Sequence, residues 1–465
     1  MDRTMINEKN PGSAIEQRVL KKIKPSAQEK KRLCLTVDEL LEKADIAAGK
    51  LGVATRAMLV GSAARGTWIS GTHDLDIFIS FPEETSREEL ESSGLLIARE
   101  LAKEAETYEE RYAEHPYLNM RYRGFDVDVV PCFAVSSASN IKSAVDRTPF
   151  HNRFVKEHIN NLQDDVMILK QFMKGTGVYG SELRTQGFSG YLTELLVIHY
   201  GSFKKVVFNA CEWKPGMVID LAGHGSVDHK ESLVVVDPTD PRRNVAAALS
   251  IDRFAQFIEA CRSYLDGPSL RFFFPEPQEP LDDREIHILI QERESSFLAI
   301  VFDTPDVVED VLYPQLDKMQ TNIRALLEQY EFTVLNSGTW ANGRSIVLVE
   351  LISSTLPRVK KHQGPPVWVR SHAQSFRSKY EGSNETFSLY IENGNYVADI
   401  RRKFPTAKKL IEERLTTCSM GKHLTDAVEK GYMILENEQL CDIKDDSFRV
   451  FMRKWINCVD TGSFR

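Results

Sequence analysis

Asp74 and Asp76 stand two residues apart in His-Asp-Leu-Asp-Ile-Phe-Ile-Ser (73–80), whose alternation reads as a β-strand. Side chains two apart leave a strand on the same face, so both carboxylates point together while Leu75, Ile77 and Ile79 occupy the other face. Carboxylates this close repel unless a cation lies between them, and hard oxygen ligands on a rigid strand suit Mg2+. Upstream, Gly61-Ser62 ends a short apolar strand over 56–60 (RAMLV). Gly61 allows close backbone approach, and Ser62 opens a short helix whose amides and hydroxyl form an anion site for phosphates. Arg65, one turn along, adds a charge-assisted donor. A phosphate cradle ahead of a metal-binding acidic pair is what nucleotidyl transfer requires. A third carboxylate is then needed to complete the metal site and to accept a proton. In Phe125-Asp-Val-Asp-Val-Val-Pro131 both Asp126 and Asp128 share a face. Val127, Val129 and Val130 make the Asp128 end more buried, which favours Asp128 and leaves Asp126 as the alternative.

The elements that must position these groups follow from periodicity and breakers. Ser26-Ala-Gln-Glu29 has capping-box spacing and opens a helix continued by Leu33, Val37, Leu40, Leu41 and Ala44. Strands over 56–60, 75–81, 118–122 and 125–130, with a helix over 86–106, make an α/β unit. Helices are expected over 160–174 and 191–203, followed by a strand-and-turn segment, SLVVVDPTDPRRN, broken by two Asp-Pro steps. The Pro-rich FFFPEPQEPLDD (272–283) reads as a linker. Beyond it, a strand at 297–302, a helix at 315–330 and strands near 332–337 and 344–352 form a βαββ run.

Length and charge narrow the class. A chain of 465 residues with 42% hydrophobic content can build several cores, and no apolar run approaches a membrane span. The polar N-terminus lacks the apolar centre of a secretory signal, so a soluble, cytoplasmic protein without a membrane partner is expected. Seven cysteines at wide spacing without a CxxC read as buried, reduced thiols rather than a disulfide or zinc framework. The formal net charge of −8 excludes a coat of nucleic acid held by bulk charge but leaves local contacts open. Two stretches are locally basic: the first 32 residues, with nine Lys/Arg against four Asp/Glu, and RRKFPTAKK (401–409), with five basic residues and no acid. The second is read as a contact for phosphate groups and the first as solvated surface.

GSAARGTW (61–68), HDLDIFISFP (73–82) and DVDVVPC (126–132) together resemble the nucleotidyltransferase superfamily that includes poly(A) polymerases and oligoadenylate synthetases. AVDRTPFHNRFV (144–155), VMILKQFMKGTGVYGSE (166–182), GFSGYLTELLVIHYGSF (187–203) and VVVDPTDPRRNVAAALS (234–250) narrow the resemblance to the archaeal-type (class I) CCA-adding enzymes. It extends through GPPVWVR, SLYIENG and SMGKHL and covers nearly the whole chain from about residue 15. The resemblance implies template-independent addition of C, C and A to the 3′ end of tRNA from CTP and ATP, with two Mg2+ ions. It also implies a multidomain α+β fold. Residues 1–150 would form a polymerase beta-like catalytic head with a small mixed sheet, and 151–275 a mainly helical neck that reads the base. Residues 276–465 would form an RNA-binding body and tail on the acceptor stem and T-arm; a homodimer is left open. Position by position, Ser62 and Arg65 would hold the triphosphate and Asp74, Asp76 and Asp128 the metals. His151, Lys170 and Tyr179 match further triphosphate and ribose contacts, and Arg243 matches the arginine that helps read the base, with Arg242 a one-residue alternative. Many members carry Glu where this chain has Asp74, and either residue coordinates Mg2+.

Overall fold

Ser26 and Glu29 form the expected capping box, each satisfying a backbone amide of the other's residue, and start a helix over Ala27–Leu51. The computed structural model describes residues 11–112, 115–225 and 230–456. The chain divides into two units, the first up to Glu276 and the second from Pro277 to Val459.

The first unit begins with α1 (Pro11–Ile23), α2 (Ala27–Leu51), β1 (Arg56–Val60), α3 (Gly61–Arg65), β2 (Asp74–Pro82) and α4 (Arg87–Ala102). There follow β3 (Thr107–Tyr112), β4 (Pro116–Tyr122) and β5 (Phe125–Ala134). Their sheet runs β1-β2-β5-β4-β3, with β2 and β5 parallel and the remaining pairs antiparallel. α2 and α4 cover one face, burying Leu40, Ala44, Ile97 and Leu101 with Leu75, Ile77, Val127 and Val129. β3 is absent from the sequence reading: its TYEERY is an almost wholly exposed edge strand with no apolar alternation to announce it.

α5 (Thr148–His158), α6 (Gln163–Gly175), α7 (Gly190–Tyr200) and α8 (Phe203–Ala210) come next. The helix expected over 160–174 begins three residues later, at Gln163. The helix expected through 203 ends at Tyr200, where left-handed Gly201 caps it and Ser202 caps α8. β6 (Met217–Asp220), β7 (Leu233–Asp237) and β8 (Asp240–Asn244) form a three-stranded sheet, and α9 (Ile251–Asp266) closes the helical core. The second Asp-Pro step does not break structure: Pro241 sits inside β8, an edge strand where its missing amide costs no ladder bond.

The second unit contains α10 (Asp283–Arg293), β9 (Ser296–Asp303), α11 (Glu309–Gln329), β10 (Val334–Asn342) and β11 (Arg344–Leu351). It continues with β12 (Val359–Pro366), α12 (Arg370–Tyr380), β13 (Thr386–Glu392), β14 (Asn395–Arg401), α13 (Ala407–Arg414), α14 (Lys422–Lys430), β15 (Tyr432–Glu436) and α15 (Asp446–Ile456). An antiparallel sheet β10-β11-β9-β15 has a core on each face, and a smaller sheet runs β12-β14-β13. α11 starts at Glu309, before the expected 315, because Pro314 lies inside the helix instead of opening it. The 401–409 run is largely neutralised in place. Arg401 pairs with Glu385, Arg402 with Glu331, Lys408 with Glu436 and Lys409 with Glu413.

Among the described residues no helix is long and apolar enough to cross a membrane. Free cysteines 132, 261 and 441 are buried, 211 and 418 half-buried; Cys34 is exposed, against expectation, and Cys458 lies outside the described residues.

Candidate active site on the open face of the first sheet

The parallel pairing of β2 with β5 sets Asp74 opposite Asp126 and Asp76 opposite Asp128. The alternation that buries Leu75, Ile77, Val127 and Val129 therefore turns all four carboxylates to the other face. Burial first, then the charge of Asp128 and more weakly that of Asp74, pushes the Asp76 carboxyl up to about 6, against the opposing pull of Arg65. Asp128 is also raised, by burial and by Asp126 and Asp74, while a hydrogen bond from Asn119 opposes the shift. Asn119 on β4 donates through Nδ2 to Asp126 Oδ1 at 2.6 Å and to Asp128 Oδ1 at 2.8 Å. Asp126 is the more exposed of the two and Asp128 half-buried.

Gly61 adjoins this cluster with φ 72°, and a Cβ there would lie 1.9 Å from Asp76 Oδ2. No side chain fits, so the glycine keeps the space around Asp76 open. Among the described residues no group of three or more His, Cys, Asp or Glu side chains is arranged, as it stands, to hold a metal ion. The donors nevertheless fit a hard divalent cation: they are carboxylates on adjacent rigid strands, crowded enough to raise two of them, with cleared space beside one.

Next to the carboxylates, α3 is a five-residue helix closed by left-handed Gly66. Among the described residues the half-buried Ser62 hydroxyl has no protein partner. Arg65 is held from below. Its Nε donates to Glu194 Oε1 at 3.0 Å, the Thr67 hydroxyl donates to the same oxygen at 2.5 Å, and Lys170 Nζ lies 3.9 Å away. The other oxygen, Glu194 Oε2, is buried without a hydrogen bond, although it too lies 3.0 Å from Arg65 Nε. Lys170 Nζ also donates to the Thr67 carbonyl at 3.1 Å. Lys170 thus does not snorkel; burial lowers its amine to about 8, with Glu194 opposing. Tyr179 lies nearby, with Lys174 Nζ 5.4 Å from its ring centroid. A Cβ on Gly190 would meet the Tyr179 hydroxyl at 3.1 Å, so a bare glycine makes room for it, and Lys170 Nζ lies 3.9 Å from the same point. Burial lowers the Lys174 amine as well, with the charge of Asp74 opposing.

A third group forms around Asp237, at the end of β7. His151 Nε2 lies 2.8 Å from Asp237 Oδ2, and Arg243 Nη1 donates to the same oxygen at 2.9 Å. Thr239 donates to Oδ1 through both its amide and its hydroxyl, at 2.9 and 2.8 Å, and the Tyr191 hydroxyl reaches it at 3.3 Å. The imidazole stacks on Tyr191 with centroids 4.0 Å apart. Burial would raise Asp237, but His151 and Thr239 outweigh it and hold the carboxyl far below its usual range. Burial lowers His151, with Asp237 opposing, which favours the neutral ring. Asp146 braces this region by accepting the amides of Phe133, Lys142 and Ser143, fixing the link from β5 to α5. Arg243 joins the cluster, whereas Arg242 is exposed and donates to the Ser139 carbonyl at 2.8 Å.

The structure therefore gathers Asp74, Asp76, Asp126 and Asp128 on one face, Arg65, Lys170 and Tyr179 around Glu194, and His151 and Arg243 on Asp237. Sequence reasoning missed Asn119, Glu194, Asp237 and Tyr191. The buried carboxylates carried one signal, an acid inside an apolar run: Glu194 in GYLTELLV and Asp237 after LVVV.

Three family models match in succession: "Nucleotidyltransferase domain" over 43–151, "tRNA nucleotidyltransferase, second domain" over 164–274, and "CCA-adding enzyme, C-terminal domain" over 293–437. The CCA-adding enzyme of Methanosarcina barkeri is 58% identical over 440 residues, spanning 94% of this chain and 97% of that protein. The chain belongs to the CCA-adding enzymes. The CCA-adding enzymes of Methanosarcina acetivorans, at 59% identity over 94% of this chain and 97% of that one, and of Halobacterium salinarum, at 41% over 90% and 92%, agree. The fold class and the reaction expected from the sequence are borne out: a multidomain α+β nucleotidyltransferase of the family that adds C, C and A to tRNA from CTP and ATP without a nucleic-acid template. Membership carries a general dependence on a divalent metal.

Proposed function

We propose that this chain performs CCA addition on the face shared by β2 and β5, with Asp74, Asp76 and Asp128 as ligands for two Mg2+ ions. The observation that carries the reading is the register. It sets Asp76 against Asp128 beside a glycine that leaves the space clear, and burial together with the facing charge of Asp128 lifts the Asp76 carboxyl to about 6. Bound Mg2+ would ease ionisation of the RNA 3′-hydroxyl and offset the charge of the departing pyrophosphate.

The chain's own residues do the remaining work. Asp128, with its raised carboxyl, is positioned to take the hydroxyl proton; Asp126, more exposed and tied to Asn119, serves as its brace. Ser62 and Arg65 receive the triphosphate, with Lys170 and Tyr179 beside them. Glu194 fixes the direction of Arg65 so that a phosphate meets a preset donor. His151 stays neutral and, with Arg243, frames the nucleotide from the Asp237 side; Arg243 rather than Arg242 is the base reader because it alone shares that carboxylate. In this reading residues 1–150 are the catalytic head, 151–275 the neck and 276–465 the tRNA-gripping body and tail, working in the cytoplasm.

Purified protein given CTP, ATP and tRNA lacking its CCA end should stop after three additions; an open-ended A ladder would sink the reading. The Arg65→Ala variant should raise KM for CTP and ATP alike by about tenfold or more, with KM for tRNA unmoved. A defect confined to one nucleotide would show that Arg65 reads the base and not the phosphates.

A further inference from the structure

The two basic stretches of the sequence differ in how far their charge is paired. Four of the five basic residues in 401–409 already have acidic partners. In the N-terminal stretch the side chains of Arg18, Lys21, Lys30 and Lys31 are exposed and, among the described residues, have neither an ion pair nor a hydrogen bond. Val19 and Ile23 of α1 and Leu33 and Val37 of α2 turn inward, which forces these cations outward by helical spacing. Lys30 and Lys31 also lie in the opening turns of α2, where the helix dipole disfavours positive charge, and Glu29 is occupied with Ser26 and Ser70. Neither packing nor pairing accounts for cations kept there.

The place of this elbow is equally specific. The Ser70 amide donates to the Ile23 carbonyl and the Ser70 hydroxyl to Glu29, both at 2.7 Å, which fastens the elbow to the loop leading into Asp74. Arg32 Nη2 donates to the Arg123 carbonyl at 3.2 Å, and its guanidinium lies 4.7 Å over the ring of Phe125, the residue before Asp126. The His73 carbonyl accepts the Asp126 amide at 2.8 Å, so both anchor points belong to the strand starts that carry the carboxylates. On the same sheet Arg121 stands opposite Asp126 but is paired with Glu106 at 4.0 Å, so the free positive charge lies on the elbow itself.

We propose that the α1–α2 elbow is a phosphate-docking surface for the acceptor arm of tRNA close to the 3′ end, with Lys21, Lys30, Lys31 and Arg32 as its contacts. The inference rests on the open carboxylate face being where the RNA end is extended. A polyanionic strand leading to that face needs counter-charge, and unpaired lysines on the elbow fastened to the starts of its strands supply that charge by releasing condensed cations.

The test is the Lys30→Ala/Lys31→Ala variant, altered only at exposed positions. With tRNA lacking CCA, KM for tRNA should rise about tenfold near 0.1 M salt, and the slope of log affinity against log salt should fall by about two. The effect should sit in KM for tRNA and not in kcat or in KM for CTP and ATP. It should be as large with a minihelix holding only the acceptor and T arms, and larger with Lys30→Glu/Lys31→Glu. Unchanged affinity and slope would overturn the proposal. So would a defect seen with whole tRNA but absent with the minihelix, or one confined to nucleotide KM. If wild-type protein bound tRNA without incorporating nucleotide while the lysine variant still bound it more weakly, the docking surface would stand and the catalytic reading would fail.

Discussion

Asp76 and Asp237 are two aspartates of the same unit whose environments drive them in opposite directions. Asp237 is wholly buried and yet held far below its usual range, while the less buried Asp76 is pushed up to about 6. Burial raises both carboxyls; at Asp237 the facing imidazole and Thr239 outweigh it, whereas at Asp76 the facing carboxylates add to it. Asp237 faces an imidazole, a guanidinium and two hydroxyls, and is satisfied by the protein. Asp76 faces other carboxylates and, in the proposed reading, is left for an ion from outside. On that reading the group that takes up and releases a cation is kept short of partners, whereas the one that holds the base-reading side rigid is given them all.

Removing each acid tests that contrast most severely. The Asp76→Asn variant should lose nucleotide incorporation by about 10³-fold or more, on the order of 4 kcal/mol in the barrier, while tRNA affinity stays within about twofold. Its metal-free thermal stability should rise, because a repulsive charge has gone. For Asp237→Asn the prediction has the opposite sign in stability. His151 and Arg243 lose their common acceptor, thermal unfolding comes several degrees earlier at a cost of about 2 kcal/mol, and kcat/KM falls about 30-fold with weaker discrimination between CTP and ATP. Should both variants stabilise the metal-free chain, the comparison is broken.

The pH dependence sharpens the same point. Folded, metal-free chain holds a proton on Asp76 up to about pH 6, against the ordinary 3.8, so more protons are bound folded than unfolded in that interval. Stability should therefore fall as pH rises from about 4 to 6, and this component of the slope should flatten or reverse when Mg2+ is added, because the ion competes with the proton for the folded carboxylate. Urea titrations at several pH values, with and without Mg2+, read this directly. The smallest effect belongs to Asn119→Ala. Freeing Asp128 and Asp126 from their shared donor should lower kcat about fivefold, near 1 kcal/mol, and a steady-state assay at saturating nucleotide would detect it.

The acidic face was legible in the sequence because strand periodicity is strict: Asp74 and Asp76, then Asp126 and Asp128, each alternate with apolar residues that have only one place to go. Gly61 was legible for the same local reason. Glu194 and Asp237 were not, since their meaning depends on partners far along the chain: Arg65 is 129 residues from Glu194, and His151 is 86 from Asp237. Asn119 escaped because a polar residue on an edge-ward strand has no signature until the register is known. The pairing of the basic stretches was hidden for a related reason. Charge can be counted along the chain, but its neutralisation by Glu331 or Glu436 depends on tertiary packing.

The parallel register of β2 on β5 has a consequence for how competence is acquired. A slip of β2 by one residue would turn Leu75 and Ile77 outward and drive Asp74 and Asp76 into the apolar layer under α2 and α4. No half-active misregistered form can persist, because burying those charges would cost more than the layer could return. The step that seals the core is the same step that sets out the carboxylates, so a folded first unit carries its acidic face already aligned.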